Sequence, residues 1–412
     1  MQILKFSSLK KVIVLLLTVA LFSCDDNKAE KEITKIVLKD TVKPQLKDTL
    51  QTEIKEVRVP KLNDTLNELA NLISGSKEFT FTTFKKFANE NSFVHFSNDF
   101  SKRWKKFDST RLNIIKNFAD TTLVKELTPT ENLFYPFSGP DILYSSTLFP
   151  NIKHFTLIGL EPVGTLPIID DKTIIPDSIN NYFNKINSAL NAILNFSFFR
   201  TASMKEDLRN PEVDGTLHLI LLFLNKTNNS IINVKPFYID TLGEKQYLSD
   251  FNILKSKFVK NKSVEINYLT QATQVKTITY TSTDLSDAAF KKNKGLNVYL
   301  SALNFKLTYL KGASYLLHKT NFSAIRNVIL KNTSQVVQDD SGIALTYFEK
   351  DTNEWNYSFY GKYIKPINMF AQHYQKKLDS LYTKIGTKKL GFGLGYNYRD
   401  KNSNFMIISK LK

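Results

Sequence analysis

Leu133-Phe-Tyr-Pro-Phe-Ser-Gly-Pro-Asp141, followed by Phe155-Thr-Leu-Ile-Gly-Leu-Glu-Pro-Val-Gly164, is the stretch whose reading decides the fold. An apolar extended segment over 133–137 runs into a turn at Ser138-Gly139-Pro140-Asp141, because glycine, proline and aspartate there break any regular element. A short helix is expected over 141–149. A second strand over 155–160 then ends at an acid, Glu161. Strand, turn, helix and strand in that order suggest an α/β or α+β architecture.

The same alternation extends outward in both directions. Helical spacing over 62–73 stops at Gly75, and 79–119 reads as further helix rich in aromatics. An amphipathic helix is expected from Asp177 onward, with Phe183, Ile186 and Leu190 on one face. The unbroken apolar run over 217–224 reads as a buried strand, paired through Asn228-Asn229 with 231–239. Further strands are expected at 264–269, 275–283, 343–348 and 356–360. A helix over 367–385 is ended by Gly386, and a closing hairpin joins 390–398 to 405–409 through a turn at 401–403. The expectation is an α/β (or α+β) fold: one large mixed sheet with flanking helices, Rossmann-like in one form. It forms a single globular domain over 65–412, with a helical N-terminal lobe (65–130) and an α/β body (131–412).

Composition sets the bounds. The 412 residues are 42% hydrophobic and include 31 Phe and 18 Tyr, which excludes a disordered chain. A single cysteine excludes an internal disulfide and a cysteine-rich zinc site, and five scattered histidines offer no histidine-rich metal site.

The first 23 residues hold three lysines and no acid, and 12–22 is an apolar run of about 16 Å as a helix, half a bilayer core. That predicts an export signal over 1–23. Leu21-Phe22-Ser23-Cys24 resembles the lipobox of bacterial lipoprotein precursors, with Phe22 bulkier than the pattern. The resemblance implies cleavage before Cys24, acylation of its thiol and attachment to a bacterial membrane, the outer membrane being the favoured one. Several acyl chains hold a protein stably where one is marginal.

Residues 25–64 carry nine bases and nine acids and no aromatic residue, with a degenerate repeat at 38–41, 46–49 and 62–65. They read as a flexible tether spanning roughly 35 Å. The positive excess therefore sits on 65–412, where 44 bases face 30 acids. Such a body attracts anionic polymers. A nucleic-acid partner lacks any supporting motif.

Glu161 lies 22 residues beyond Gly139. That spacing resembles the first βαβ unit of Rossmann-like folds, including methyltransferases that bind S-adenosylmethionine. The resemblance covers about 30 residues and departs from the pattern in having one glycine, followed by Pro140, where two or three are usual. It implies Ser138, Gly139 and Asp141 at the turn against the ligand, and Glu161 on the ribose hydroxyls.

A second cluster, Gly312-Ala-Ser-Tyr-Leu-Leu-His318 with Gln338-Asp-Asp-Ser-Gly342, offers His318 as a base oriented by Asp339 or Asp340, with Ser314 or Ser341 as nucleophile. No Gly-x-Ser-x-Gly elbow accompanies it. The adjacent acids Asp170-Asp171 suit a loop better than a facing pair. Gly391-Phe-Gly-Leu-Gly395 reads as a strand with one bare face packed closely on backbone, since a phosphate loop must open a helix.

These observations predict a lipid-anchored cell-envelope protein that binds an envelope component or partner, without a cofactor. The alternatives are an enzyme or enzyme-derived domain binding an adenosyl or nucleotide ligand between Gly139 and Glu161, and a polyanion binder.

Overall fold

Ten strands form one mixed sheet in the order β4-β3-β5-β6-β2-β1-β7-β8-β10-β9 in the computed structural model, which describes residues 60–167, 176–196 and 213–410. The signal segment, Cys24, nearly all of the tether and Asp170-Asp171 lie outside the described residues. β1 (Asn132–Pro136), β2 (His154–Gly159), β6 (Val275–Ser282), β7 (Leu307–Leu310) and β8 (Gln335–Gln338) run parallel. Numbered by their own succession they stand 3-2-1-4-5, the doubly wound order, whose direction of winding reverses between β1 and β7. Antiparallel strands extend both edges. β3 (Ser230–Ile239), β4 (Lys245–Tyr247) and β5 (Lys262–Leu269) lie beyond β6, and β10 (Phe405–Lys410) inserts between β8 and β9 (Trp355–Tyr360).

Alternation along the strands divides the core into two layers. Leu133 and Tyr135 of β1, Phe155 and Leu157 of β2, and Leu307 and Tyr309 of β7 face one layer. Helices Asp64–Ile73, Asn91–Phe107, Ile142–Leu148, Pro176–Phe196 and Leu217–Lys226 cover it, so the helices of the N-terminal third share the sheet's own apolar cluster. Phe134, Ile158, Leu310 and Val336 face the other layer, under Lys294–Ala302, Ser323–Asn332, Leu345–Glu349 and Lys376–Ile385. These residues belong to one compact unit, Arg58–Lys412. No helix among the described residues is long and apolar enough to cross a membrane.

The sequence reading fails at four places. The run 217–224 is a helix, buried on every side, and an element apolar all round carries no period to reveal its type. β3 accordingly pairs with β4 and β5 instead. The segment expected as a strand at 343–348 contains a helix, Leu345–Glu349. The expected helix 367–385 is broken at Tyr374 and Gln375, with a 3₁₀ segment before the break and Lys376–Ile385 after it. There is no terminal hairpin: 390–398 holds no strand, only a 3₁₀ turn over Gly395–Asn397, and β10 pairs with β8 and β9. A Cβ at Gly393 would lie 2.0 Å from the Asp400 carbonyl, so the close backbone packing expected of this run is present without the strand.

Candidate functional site

The carboxyl ends of β6, β2, β1 and β7 open into a cleft of about 720 Å³. It lies where the winding reverses, the place where open α/β sheets hold ligands. Each loop contributes in chain order: Ser138, Gly139 and Asp141 after β1, Glu161 after β2, Asp284 after β6, and Lys311 to Ser314 after β7.

The turn after β1 folds back onto β2. Ser138 N donates to the Ile158 carbonyl at 2.9 Å, and Phe137 and Gly139 take φ of 60° and 52°. Gly159 makes room for this, since a Cβ there would stand 2.9 Å from Gly139 Cα. Asp141 then serves two purposes. Its Oδ1 accepts from Tyr144 N at 3.1 Å and caps Ile142–Leu148, while its Oδ2 accepts from the Tyr135 hydroxyl at 2.9 Å. The same Oδ2 lies 2.5 Å from the Lys311 ammonium, which also sits 3.7 Å from the centre of the Tyr144 ring. Burial pushes the Lys311 ammonium down and the nearby Asp141 charge pulls it back up. Burial, then the Asp141 charge, pushes the Tyr135 hydroxyl well above its ordinary value.

Glu161 is only 2% exposed, yet its carboxylate accepts no hydrogen bond from any described residue. Its backbone carbonyl accepts from the Tyr280 hydroxyl at 2.8 Å, which fixes the main chain at the end of β2. Asp284, on the far rim, is exposed and holds Ser286 through its backbone N at 2.8 Å and its hydroxyl at 2.9 Å. The lining therefore carries three acids and one base, and that base is already engaged by Asp141.

The second cluster meets the first. Asp339 Oδ2 accepts from Gly312 N at 2.9 Å, and its Oδ1 accepts from Ser341 N at 3.0 Å and from the Ser341 hydroxyl. Ser341 Oγ accepts in turn from Ala313 N at 2.8 Å. Together they hold the loop after β7, where Gly312, Ser314 and Tyr315 all have φ between 53° and 58°. Left-handed non-glycine residues in succession are strained, and such strain gathers at working sites. Gly395 is required here as well, because its Cβ would lie 2.0 Å from Asp339 Oδ2. Asp340 accepts from the Tyr315 hydroxyl at 2.8 Å, and burial together with the Asp339 charge pushes its carboxyl up to about 8.

No hydrogen bond among the described residues joins His318 to Ser314, to Ser341 or to either carboxylate. The ring lies edge-on to Tyr315 and His373 at 5.1 and 5.2 Å and approaches only the backbone of Asp340. Burial lowers His318 to about 4, and its Nε2 is buried without a partner. The Ser314 hydroxyl is shared with the Tyr396 hydroxyl at 2.7 Å. The serines thus position loops here and have no base beside them.

Sequence reasoning missed Lys311, Tyr135 and Asp284. A lysine directly after the apolar run 307–310 and directly before a glycine was the available signal for Lys311. No group of three or more histidine, cysteine, aspartate or glutamate residues among the described residues is placed to hold a metal ion. In comparisons with known proteins the chain matches no family model, no curated protein and no solved structure.

Proposed function

We propose that the cleft binds an adenosyl ligand of the S-adenosylmethionine type. The carrying observation is Glu161, which lines the cleft at the end of the second strand beside the Gly139 turn and whose carboxylate accepts no hydrogen bond from a described residue. A carboxylate that faces the cleft with no donor from a described residue can accept from two ribose hydroxyls. The sign of the site selects among nucleosides. Asp141 occupies the cap of the first helix, where a dinucleotide fold would place a phosphate, and the remaining acids find no free base in the cleft. A neutral or cationic group such as a sulfonium is accommodated there, and a phosphate is repelled. The reading is one of binding.

The mature chain is further proposed to be tied to a bacterial membrane through acylated Cys24, as its resemblance to lipoprotein precursors implies, where an envelope protein or an anionic polymer is a partner within reach of the tether.

Calorimetric titration with S-adenosylmethionine and S-adenosylhomocysteine tests the ligand. Glu161→Ala should weaken both at least tenfold, about 1.4 kcal/mol, without lowering the melting temperature. Equal affinity in the variant refutes the assignment.

A further inference from the structure

We propose that the opposite end of the same strands forms a second site, for an uncharged polyhydroxylated ligand of the saccharide class. Parallel strands ordinarily lie under cover on both faces and are apolar on both. On the face that carries Ile158, Leu310 and Val336 this holds only toward the carboxyl ends. Toward the amino ends of β1, β2 and β6 the same face turns polar.

The register places the side chains together. His154 stands opposite Asn132 and Thr277, and Thr156 stands opposite Thr279, which in turn faces Glu265 on β5. Cross-strand partners share a face, so these groups line one open groove of about 660 Å³. Its charges cancel: Lys245 Nζ lies 2.7 Å from Glu265 Oε2, and the Tyr247 hydroxyl donates to the same oxygen at 2.8 Å. The helix Lys294–Ala302 closes the groove on one side with Tyr299, which is 6% exposed. The Tyr299 hydroxyl points toward Thr279 but makes no hydrogen bond of normal geometry.

A buried hydroxyl left in this state, beside a row of threonines, wants a hydroxylated partner. Lys245 and Glu265 neutralise one another, which leaves the exposed imidazole of His154 as the other basic group of the lining. A neutral sugar, rich in both donors and acceptors, matches the lining. The groove shares no lining residue with the cleft at the carboxyl ends.

The test is saturation-transfer NMR on the full chain with maltotriose, cellotriose and triacetylchitotriose, against sugar phosphates and a sulfated polysaccharide. Transfer to at least one neutral trisaccharide at roughly millimolar concentration is expected. Its affinity should fall at least tenfold in the near-isosteric double variant Thr279→Val/Tyr299→Phe, and also in Asn132→Ala, at the groove's half-buried edge. S-adenosylmethionine affinity and melting temperature should stay as in the parent. Transfer to none of the three neutral sugars, transfer to the charged ligands alone, or sugar binding unchanged in Asn132→Ala each overturns the proposal.

Discussion

The Lys311 ammonium and Asp141 Oδ2 lie 2.5 Å apart with side-chain exposures of 2% and 1%, joining the loop after β7 to the turn after β1. The pair spans the point where the winding of the sheet reverses, and it fixes the two loops that form the centre of the cleft. It also uses up the cleft's one cation.

Removing one member of a buried pair leaves the other charged and unsolvated. Lys311→Met should therefore cost about 3–5 kcal/mol in denaturant unfolding. Lys311→Met with Asp141→Asn should recover most of that loss, because asparagine still caps the Ile142–Leu148 helix. Equal losses in the single and double variants would show that the pair does not carry the effect.

Gly159 is the contact point between β2 and the turn after β1. A methyl there meets Glu161 Oε2 at 2.6 Å, the Tyr280 hydroxyl at 2.7 Å and Gly139 Cα at 2.9 Å. Gly159→Ala should destabilise the domain by about 1–3 kcal/mol and remove ligand binding as the cleft floor shifts. Unaltered stability measured by urea unfolding would contradict this packing.

Stability should depend on pH through groups around the loop after β7. Asp340 ionises near its ordinary 3.8 when unfolded but only near about 8 when folded. Between those values the folded chain keeps a proton that the unfolded chain has released, so stability falls as pH rises, by at most about 1.4 kcal/mol per unit. His318 and His218, both lowered by burial from 6.5 to about 4, act oppositely and remove stability as pH falls through that interval. From pH 6.5 to 8 the slope of the Asp339–Asp340 pair, both raised by burial, stands clear of the histidines. Asp340→Asn should flatten it, and His318→Phe should reduce the acid limb only. Urea midpoints across the series decide the matter, and a flat parent profile from 6.5 to 8 counts against the buried acid.

Cys24→Ser should move the full-length protein from the membrane pellet to the soluble fraction when expressed in a bacterial host that processes lipoproteins. A variant that still pellets in full removes the anchor from the account.

The sequence revealed the turn and the acid because both rest on local chemistry. Gly139 and Asp141 break the chain wherever they stand, and Glu161 ends an apolar run. The sheet's mixed character and strands β1, β2, β3, β5, β6, β9 and β10 were legible through alternation and flanking turns. What failed depends on partners distant in the chain. The 217–224 helix is covered on every side, so its hydrophobicity has no period. β7 and β8 are four residues each, too short to show alternation, and with them went Lys311. The halves of the second cluster are tied by the Gly312–Asp339, Ala313–Ser341 and Tyr315–Asp340 hydrogen bonds, and the Lys311–Asp141 pair ties that loop to the turn after β1, all at separations no local pattern reports.

The central claim is the sign and class of the ligand in the cleft. Isothermal titration of the Arg58–Lys412 unit with S-adenosylmethionine, and separately with ATP, tests it most directly. The account predicts saturable binding of S-adenosylmethionine and none of ATP at the same concentration. Tighter binding of ATP, or heat from neither ligand, would contradict it.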